Sequence, residues 1–247
     1  MSEWLIVLLA GVATMLATGV GVVPVYVLGD DAERWRPVLI GIAVGAMAVA
    51  SVVGLLKPGF EFGSTFEVCA GAAVGAAMFF AIRRALRGYD VHIGQLRGAG
   101  VRRGVLVFAV LFAHSLPEGF AIGTAFAAPD RDIGLFVILA IALQNVPEGT
   151  SMAIATQGSG IGFWRQFWIA TATSLPQPIG ALIAYALVDQ IESLLPISFG
   201  FAAGAMLVLV AIELIPEGFV RGAYARAAAG TAVGAAMIFA LEAVVGV

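Results

Sequence analysis

Long apolar runs separated by short polar turns organise this chain. Eight of them, near Trp4–Leu28, Pro37–Leu56, Ser64–Arg83, Arg103–Ala128, Ile133–Gln157, Phe163–Val188, Ile197–Arg221 and Tyr224–Val247, can each form a helix across a bilayer, which takes about 20 apolar residues. The pattern predicts an all-α polytopic membrane protein, a single domain over residues 1–247. The first run is read as a helix rather than a signal peptide, because Met1, Ser2 and Glu3 ahead of it supply no positive region. Most connections are short. The longest, from Arg84 to Arg102, is rich in Gly and Arg and reads as a mobile loop.

Composition sharpens this picture. The chain is 61% hydrophobic and 12% charged, against about 45–50% and about 25% in soluble domains. Its mean hydropathy is +1.01. One cysteine, Cys69, excludes disulfides and thiolate clusters, and nothing resembles a nucleic-acid surface.

Charge sets the expected orientation. Arg34, Arg36, Arg83, Arg84, Arg87, Arg97, Arg102, Arg103, Arg165, Arg221 and Arg226 fall on the side joined by connections 1–2, 3–4, 5–6 and 7–8. Lys57 and Arg131 lie opposite, so the positive-inside rule puts both termini outside the cell membrane. The outer side carries Glu3, Glu61, Asp130, Asp132, Asp189 and Glu192. Such a mouth concentrates cations, although ordinary loop solvation accounts for it equally.

The chain also repeats itself. Gly41-Ile-Ala-Val-Gly-Ala-Met47 in the second run matches Gly200-Phe-Ala-Ala-Gly-Ala-Met206 in the seventh, an offset of 159 residues (Gly41 to Gly200). The same offset takes Ala70–Ile82 in the third run onto Ala229–Leu241 in the eighth, with ten of thirteen positions identical. It also takes Thr14, Leu16 and Gly21 onto Thr173, Leu175 and Gly180. Matching runs are five apart and cross in opposite senses, so runs 1–3 and 6–8 predict an inverted repeat around runs 4 and 5, as in many secondary transporters. The Gly/Ala ridges of runs 2, 3, 7 and 8 read as a rigid scaffold. Runs 1, 4, 5 and 6 hold the Pro, Gln, Thr and Ser expected of a part that binds or moves.

Runs 4 and 5 carry the candidate chemistry. In His114-Ser-Leu-Pro-Glu118-Gly119 and Gln144-Asn-Val-Pro-Glu148-Gly149, a coordinating side chain precedes a carboxylate by four residues. On a helix that spacing puts both on one face. Two such faces would converge His114, Glu118, Gln144 and Glu148 on a divalent cation. A buried His alone is usually a core residue and a buried Glu can be a protonated hydrogen-bonding group, but a carboxylate at membrane depth is costly without a partner. Pro117 and Pro147 free the carbonyls of Ala113 and Leu143 from helical partners, and Gly119 and Gly149 permit close approach. Imidazole, carboxylate and amide oxygen together suit Zn, Fe, Mn or Cd as transported substrate, with no prosthetic group. Glu213 and Glu217 form another four-residue pair. They read either as an exit-path relay or as local contacts, with Glu217 paired to Arg221. Glu67 and Glu242 read as helix-end groups.

These phrases, together with Pro176-Gln-Pro-Ile-Gly-Ala-Leu182 and Glu213-Leu-Ile-Pro-Glu217, resemble the ZIP family of divalent-metal transporters. The bacterial GufA-type branch is the nearest in pattern. The resemblance implies metal uptake into the cytosol, a primary site in runs 4 and 5, and an elevator-like movement of runs 1, 4, 5 and 6 against the others. Many family members hold a second metal beside the first. The positions matching that second site are Ser115, Asn145 and Gln177, all neutral, so one strongly bound metal is expected. The His-rich loop common in the family is reduced here to His92, read as a surface residue.

Partners are then divalent metal ions and the lipid bilayer, with no nucleic acid, and a homodimer stays open. A membrane metalloprotease would need a two-histidine zinc motif, and the chain has two histidines in all, His92 and His114. An enzyme is therefore disfavoured. A cation channel or a proton-coupled exporter using the same carboxylates is the alternative.

Overall fold

A computed structural model describes residues 2–86, 99–157 and 160–246, which are helical with no strand among them. The expectations for His92 and for most of the Arg84–Arg102 loop lie outside the described residues. The helices are α1 (Glu3–Val20), α2 (Val22–Leu28), α3 (Ala32–Ala50), α4 (Lys57–Phe62), α5 (Thr65–Leu86), α6 (Ala99–Ala127), α7 (Arg131–Ala155), α8 (Phe163–Thr173), α9 (Pro176–Gln190), α10 (Leu195–Leu209), α11 (Ile215–Gly218) and α12 (Tyr224–Val245). Among the described residues, six stretches are long and apolar enough to cross a membrane: Glu3–Leu28, Ala32–Phe62, Thr65–Ala85, Arg131–Ala155, Glu192–Gly218 and Tyr224–Val245. The outer surface matches that reading, since Phe66, Val74 and Phe80 of α5 and Val233, Phe239 and Val244 of α12 are exposed. So much bare apolar side chain suits hydrocarbon and not water.

Several helices end or break where backbone chemistry requires it. The run predicted as one helix over Phe163–Val188 is two, α8 and α9, separated at Ser174 and Leu175. Pro176 and Pro178 remove two amide donors within one turn, and the helix restarts with Pro176 in its first turn. Pro117 and Pro147 remove one donor each, and α6 and α7 run through them unbroken. The first run is interrupted at Gly21 between α1 and α2. The run predicted to reach Arg221 stops at Gly218, where Phe219 leaves the helix with φ −90° and ψ 58°. Two π-helical segments, Ser51–Leu56 and Val210–Leu214, follow α3 and α10.

The packing falls into two groups of helices. In one, α3 lies along α12 and α5 along α10. A Cβ on Gly41 or Gly45 would collide with the backbone near Ala227 and Thr231, and one on Gly200 or Gly204 with that of Val68 or Ala72. Only glycine lets these backbones touch, and in lipid such contact is what holds helices together. In the other group α6 packs on α9, and α1 on α7, α8 and α9. The groups meet where α3 crosses α7 and α10 crosses α6.

Candidate metal site

The second group of helices assembles the site. His114 and Glu118 share a face of α6, and Gln144 and Glu148 a face of α7. Each pair is one turn apart, and all four side chains are buried. Close approach of the helices comes from the glycine after each glutamate. A Cβ on Gly119 would strike the backbone of Gln177 in α9, and one on Gly149 the carbonyl of Thr18 in α1.

Ligand atoms of His114, Glu118 and Glu148 lie within 4.8 Å of one another. His114 Nε2 is 3.1 Å from Glu148 Oε2, and Gln144 Nε2 donates to Glu118 Oε1 at 2.8 Å. Four buried atoms around them have no partner: His114 Nδ1, Gln144 Oε1, Asn145 Oδ1 and Glu148 Oε1. Buried polar atoms are rarely left so, and a cation among His114, Glu118, Gln144 and Glu148 would give the free oxygens of Gln144 and Glu148 a partner. One or two carboxylates, an imidazole and an amide oxygen form a mixed N/O donor set of the kind that transition dications accept.

The three neutral positions behave differently from one another. Asn145 and Gln177 are brought beside Glu118. Asn145 Nδ2 donates to the Thr14 carbonyl at 2.7 Å and to Gln177 Oε1 at 3.2 Å. Gln177 Nε2 donates to Glu118 Oε2 at 2.6 Å. Ser115 instead donates to Leu111 O of its own helix at 2.8 Å.

The two other candidate carboxylates are each paired with an arginine. Glu213 pairs with Arg83, which also donates to Ile212 O at 2.8 Å. Glu217 pairs with Arg36 of α3 and not with Arg221, the partner named in the local-contact reading. The helix ends at Gly218, so Arg221 is not one helical turn beyond Glu217. Glu67 accepts from Ser64 N at 2.8 Å within its own helix start, whereas Glu242 of α12 lies 3.6 Å from Lys57 of α4.

Sequence reasoning did not find the hydroxyl groups that stitch α1 to this cluster. Thr18 Oγ1 and Ser174 Oγ are 2.7 Å apart, and Thr150 Oγ1 donates to Gly21 O at 2.7 Å. The available signal was Thr14 and Thr18 at helical spacing in an otherwise apolar run.

The family model for the ZIP zinc transporters matches residues 84–242, which include His114, Ser115, Glu118, Gln144, Asn145, Glu148 and Gln177. The chain belongs to the ZIP family. Zinc transporter GufA of Myxococcus xanthus is 30% identical over 237 residues, covering 90% of this chain and 91% of its own. Zinc transporter ZIPB of Bordetella bronchiseptica is 33% identical over 256 residues, covering 96% and 81%. A longer Arabidopsis thaliana relative is 33% identical over 232 residues, and there the chain spans only 37% of the relative's length. ZIP proteins are transporters and not enzymes, so a metal here is transported substrate and no prosthetic group is called for.

Proposed function

We propose that this ZIP protein carries divalent transition metals, Zn, Fe, Mn or Cd, into the cytosol through one primary site formed by His114, Glu118, Gln144 and Glu148. The observation that carries the reading is the buried cluster of His114, Glu118 and Glu148, with ligand atoms within 4.8 Å of one another and unpartnered donor atoms around it. The names of GufA and ZIPB make zinc the first metal to test.

The carrier is read as eight membrane helices with both termini outside. Support for which helix ends share a face comes from two contacts between residues predicted to lie together, Arg131 with Glu3 at 2.6 Å and Arg226 with Arg34 O at 2.8 Å; which face is outside rests on the positive-inside rule. An inverted repeat is supported by contacts that recur at the 159-residue offset. Gly41 meets Ala227 as Gly200 meets Val68, and the π segments start at Ser51 and Val210. The packing groups suit a moving part made of α1, α2 and α6–α9 and a scaffold made of α3–α5 and α10–α12, consistent with an elevator-like movement. Asn145 and Gln177 bring no negative charge to the neighbouring position, and two dications sharing Glu118 and Glu148 would repel strongly in a low-dielectric site. One metal is therefore bound tightly.

The test is uptake of Zn(II), Cd(II), Mn(II) and Fe(II) into proteoliposomes, with and without a pH gradient. Saturable uptake of at least one metal, lost in Glu148→Ala, is expected. Uptake that is unsaturable, or unchanged in that variant, would sink the reading.

A further inference from the structure

A single directed chain of hydrogen bonds runs through the middle of the site. It starts at the backbone carbonyl of Thr14 in α1, which accepts from Asn145 Nδ2 of α7 at 2.7 Å. The same nitrogen donates to Gln177 Oε1 of α9 at 3.2 Å. Gln177 Nε2 then donates to Glu118 Oε2 of α6 at 2.6 Å, and Glu118 Oε1 accepts from Gln144 Nε2 of α7 at 2.8 Å. All the side chains in it are buried.

The direction of this chain is forced by chemistry. A backbone carbonyl only accepts, so the Thr14 end of the chain must be met by an N–H. Asn145 must therefore turn its nitrogen to Thr14, and its second N–H fixes the oxygen of Gln177. That leaves the Gln177 nitrogen facing Glu118. Flipping Asn145 would set acceptor against acceptor at Thr14 O, and flipping Gln177 would set donor against donor at Asn145 Nδ2, both at buried positions where this is costly. Both oxygens of Glu118 consequently meet fixed N–H donors, and the carboxylate plane is held by α7 on one side and α9 on the other. By contrast Glu148 Oε1 and Gln144 Oε1 have no partner.

We propose that Gln177, anchored through Asn145 to the backbone of α1, is the positioning residue of the metal site: it orients Glu118 towards the cation and places an N–H beside the carboxylate oxygen that a second cation would need. This inference rests on the proposed site at His114, Glu118, Gln144 and Glu148. Its physical content is that Gln177 does not ligate the metal. Its oxygen is already engaged by Asn145, so only its nitrogen faces the site, and an amide N–H does not coordinate a dication. Groups that orient a metal ligand in this way typically change metal affinity about 10- to 100-fold when removed.

The experiment is isothermal titration of the full-length protein in detergent with Zn(II), on the wild type, Glu148→Ala, Gln177→Met, Asn145→Ala and the Asn145→Ala/Gln177→Met double variant. Met keeps the bulk of Gln177 and removes its N–H. Gln177→Met is expected to weaken Zn(II) binding about 10-fold or more. Asn145→Ala should weaken it less, and the double variant should match Gln177→Met, since both substitutions cut one chain. Absorption of the Co(II)-loaded protein gives a spectroscopic reading of the coordination sphere. Its visible bands should shift in Gln177→Met while a single equivalent is still bound.

Zn(II) affinity in Gln177→Met within twofold of wild type, with binding lost in Glu148→Ala, would overturn the positioning role and leave the site in place. Additive losses in the double variant would overturn it too, because separate ligands would behave that way. Binding retained in Glu148→Ala would remove the site itself, and the proposal with it. If Gln177→Met does not fold, Asn145→Ala decides alone: weaker Zn(II) binding with altered Co(II) bands supports the chain, and wild-type behaviour of both overturns it.

Discussion

Glu118 and Glu148 lie on facing helices, yet their surroundings differ. Glu118 accepts from two amides, whereas Glu148 touches His114 and keeps one oxygen unpartnered. Glu148 is therefore the carboxylate freest to take the metal. Its Ala variant is expected to lose saturable Zn(II) uptake with little loss of thermal stability in detergent, because it removes a poorly satisfied buried group. Glu213 offers the opposite case. It is paired with Arg83, and Glu213→Gln would leave that arginine without its counter-charge in a partly buried place. That variant is expected to melt at a lower temperature while the KM for Zn(II) stays within twofold; a several-fold rise in KM at unchanged stability would favour the relay reading instead. The residue scale was partly legible in the sequence. A spacing of four residues placed His114 with Glu118 and Gln144 with Glu148, because that relation is fixed by helix geometry alone. The amide chain through Thr14, Asn145 and Gln177 was not legible, because its members come from three helices and their meeting depends on tertiary packing.

At the scale of elements, glycine and proline acted according to their surroundings. The Gly/Ala ridges pointed to close helix contacts, and those contacts are present at Gly41, Gly75, Gly200 and Gly234. Proline was harder to read. A single missing donor is absorbed within a long helix at Pro117 and at Pro147, but Pro176 and Pro178 together split α8 from α9. The π segments had no sequence signal, since no residue type encodes the extra residue in a turn. Ser51, which opens the first of them, donates back to Met47 O at 2.7 Å, a local bond that bends helices. The element-scale prediction concerns Gly149. Its Cα lies against the carbonyl of Thr18, so a methyl group must push α1 from α7, and overpacking of this kind costs about 1–3 kcal/mol. Gly149→Ala is expected to lower both thermal stability and Zn(II) uptake. Gly162→Ala, with open space around it and an ordinary φ of −74°, should change neither. Equal behaviour of the two variants would mean that the α1–α7 contact does not matter to the site.

For the molecule as a whole, the division into two packing groups suggests how cargo moves. If α1 and α6–α9 carry the metal as one body past the scaffold, bonds inside that body should be harmless and bonds across its boundary should not. Thr18 and Ser174 lie inside it, with their hydroxyl oxygens 2.7 Å apart. Gly54 and Phe136 face each other across the boundary, where a Cβ on Gly54 would come within 2.6 Å of the ring. The native Cys69 is exposed and must first be replaced by Ser. In that background, cross-linking of Gly54→Cys with Phe136→Cys is expected to stop Zn(II) uptake, and reduction to restore it. Cross-linking of Thr18→Cys with Ser174→Cys should leave at least half of the uptake of the reduced protein. Both pairs are tested in one preparation, so loss of folding appears as loss before oxidation and is not confused with loss on closing the bond. A movement confined to local gates in α8 and α1 would reverse the result, with the Thr18–Ser174 bond blocking and the Gly54–Phe136 bond tolerated. That reversal would refute rigid-body transport, because the boundary drawn by the packing would then not be the surface along which the protein moves.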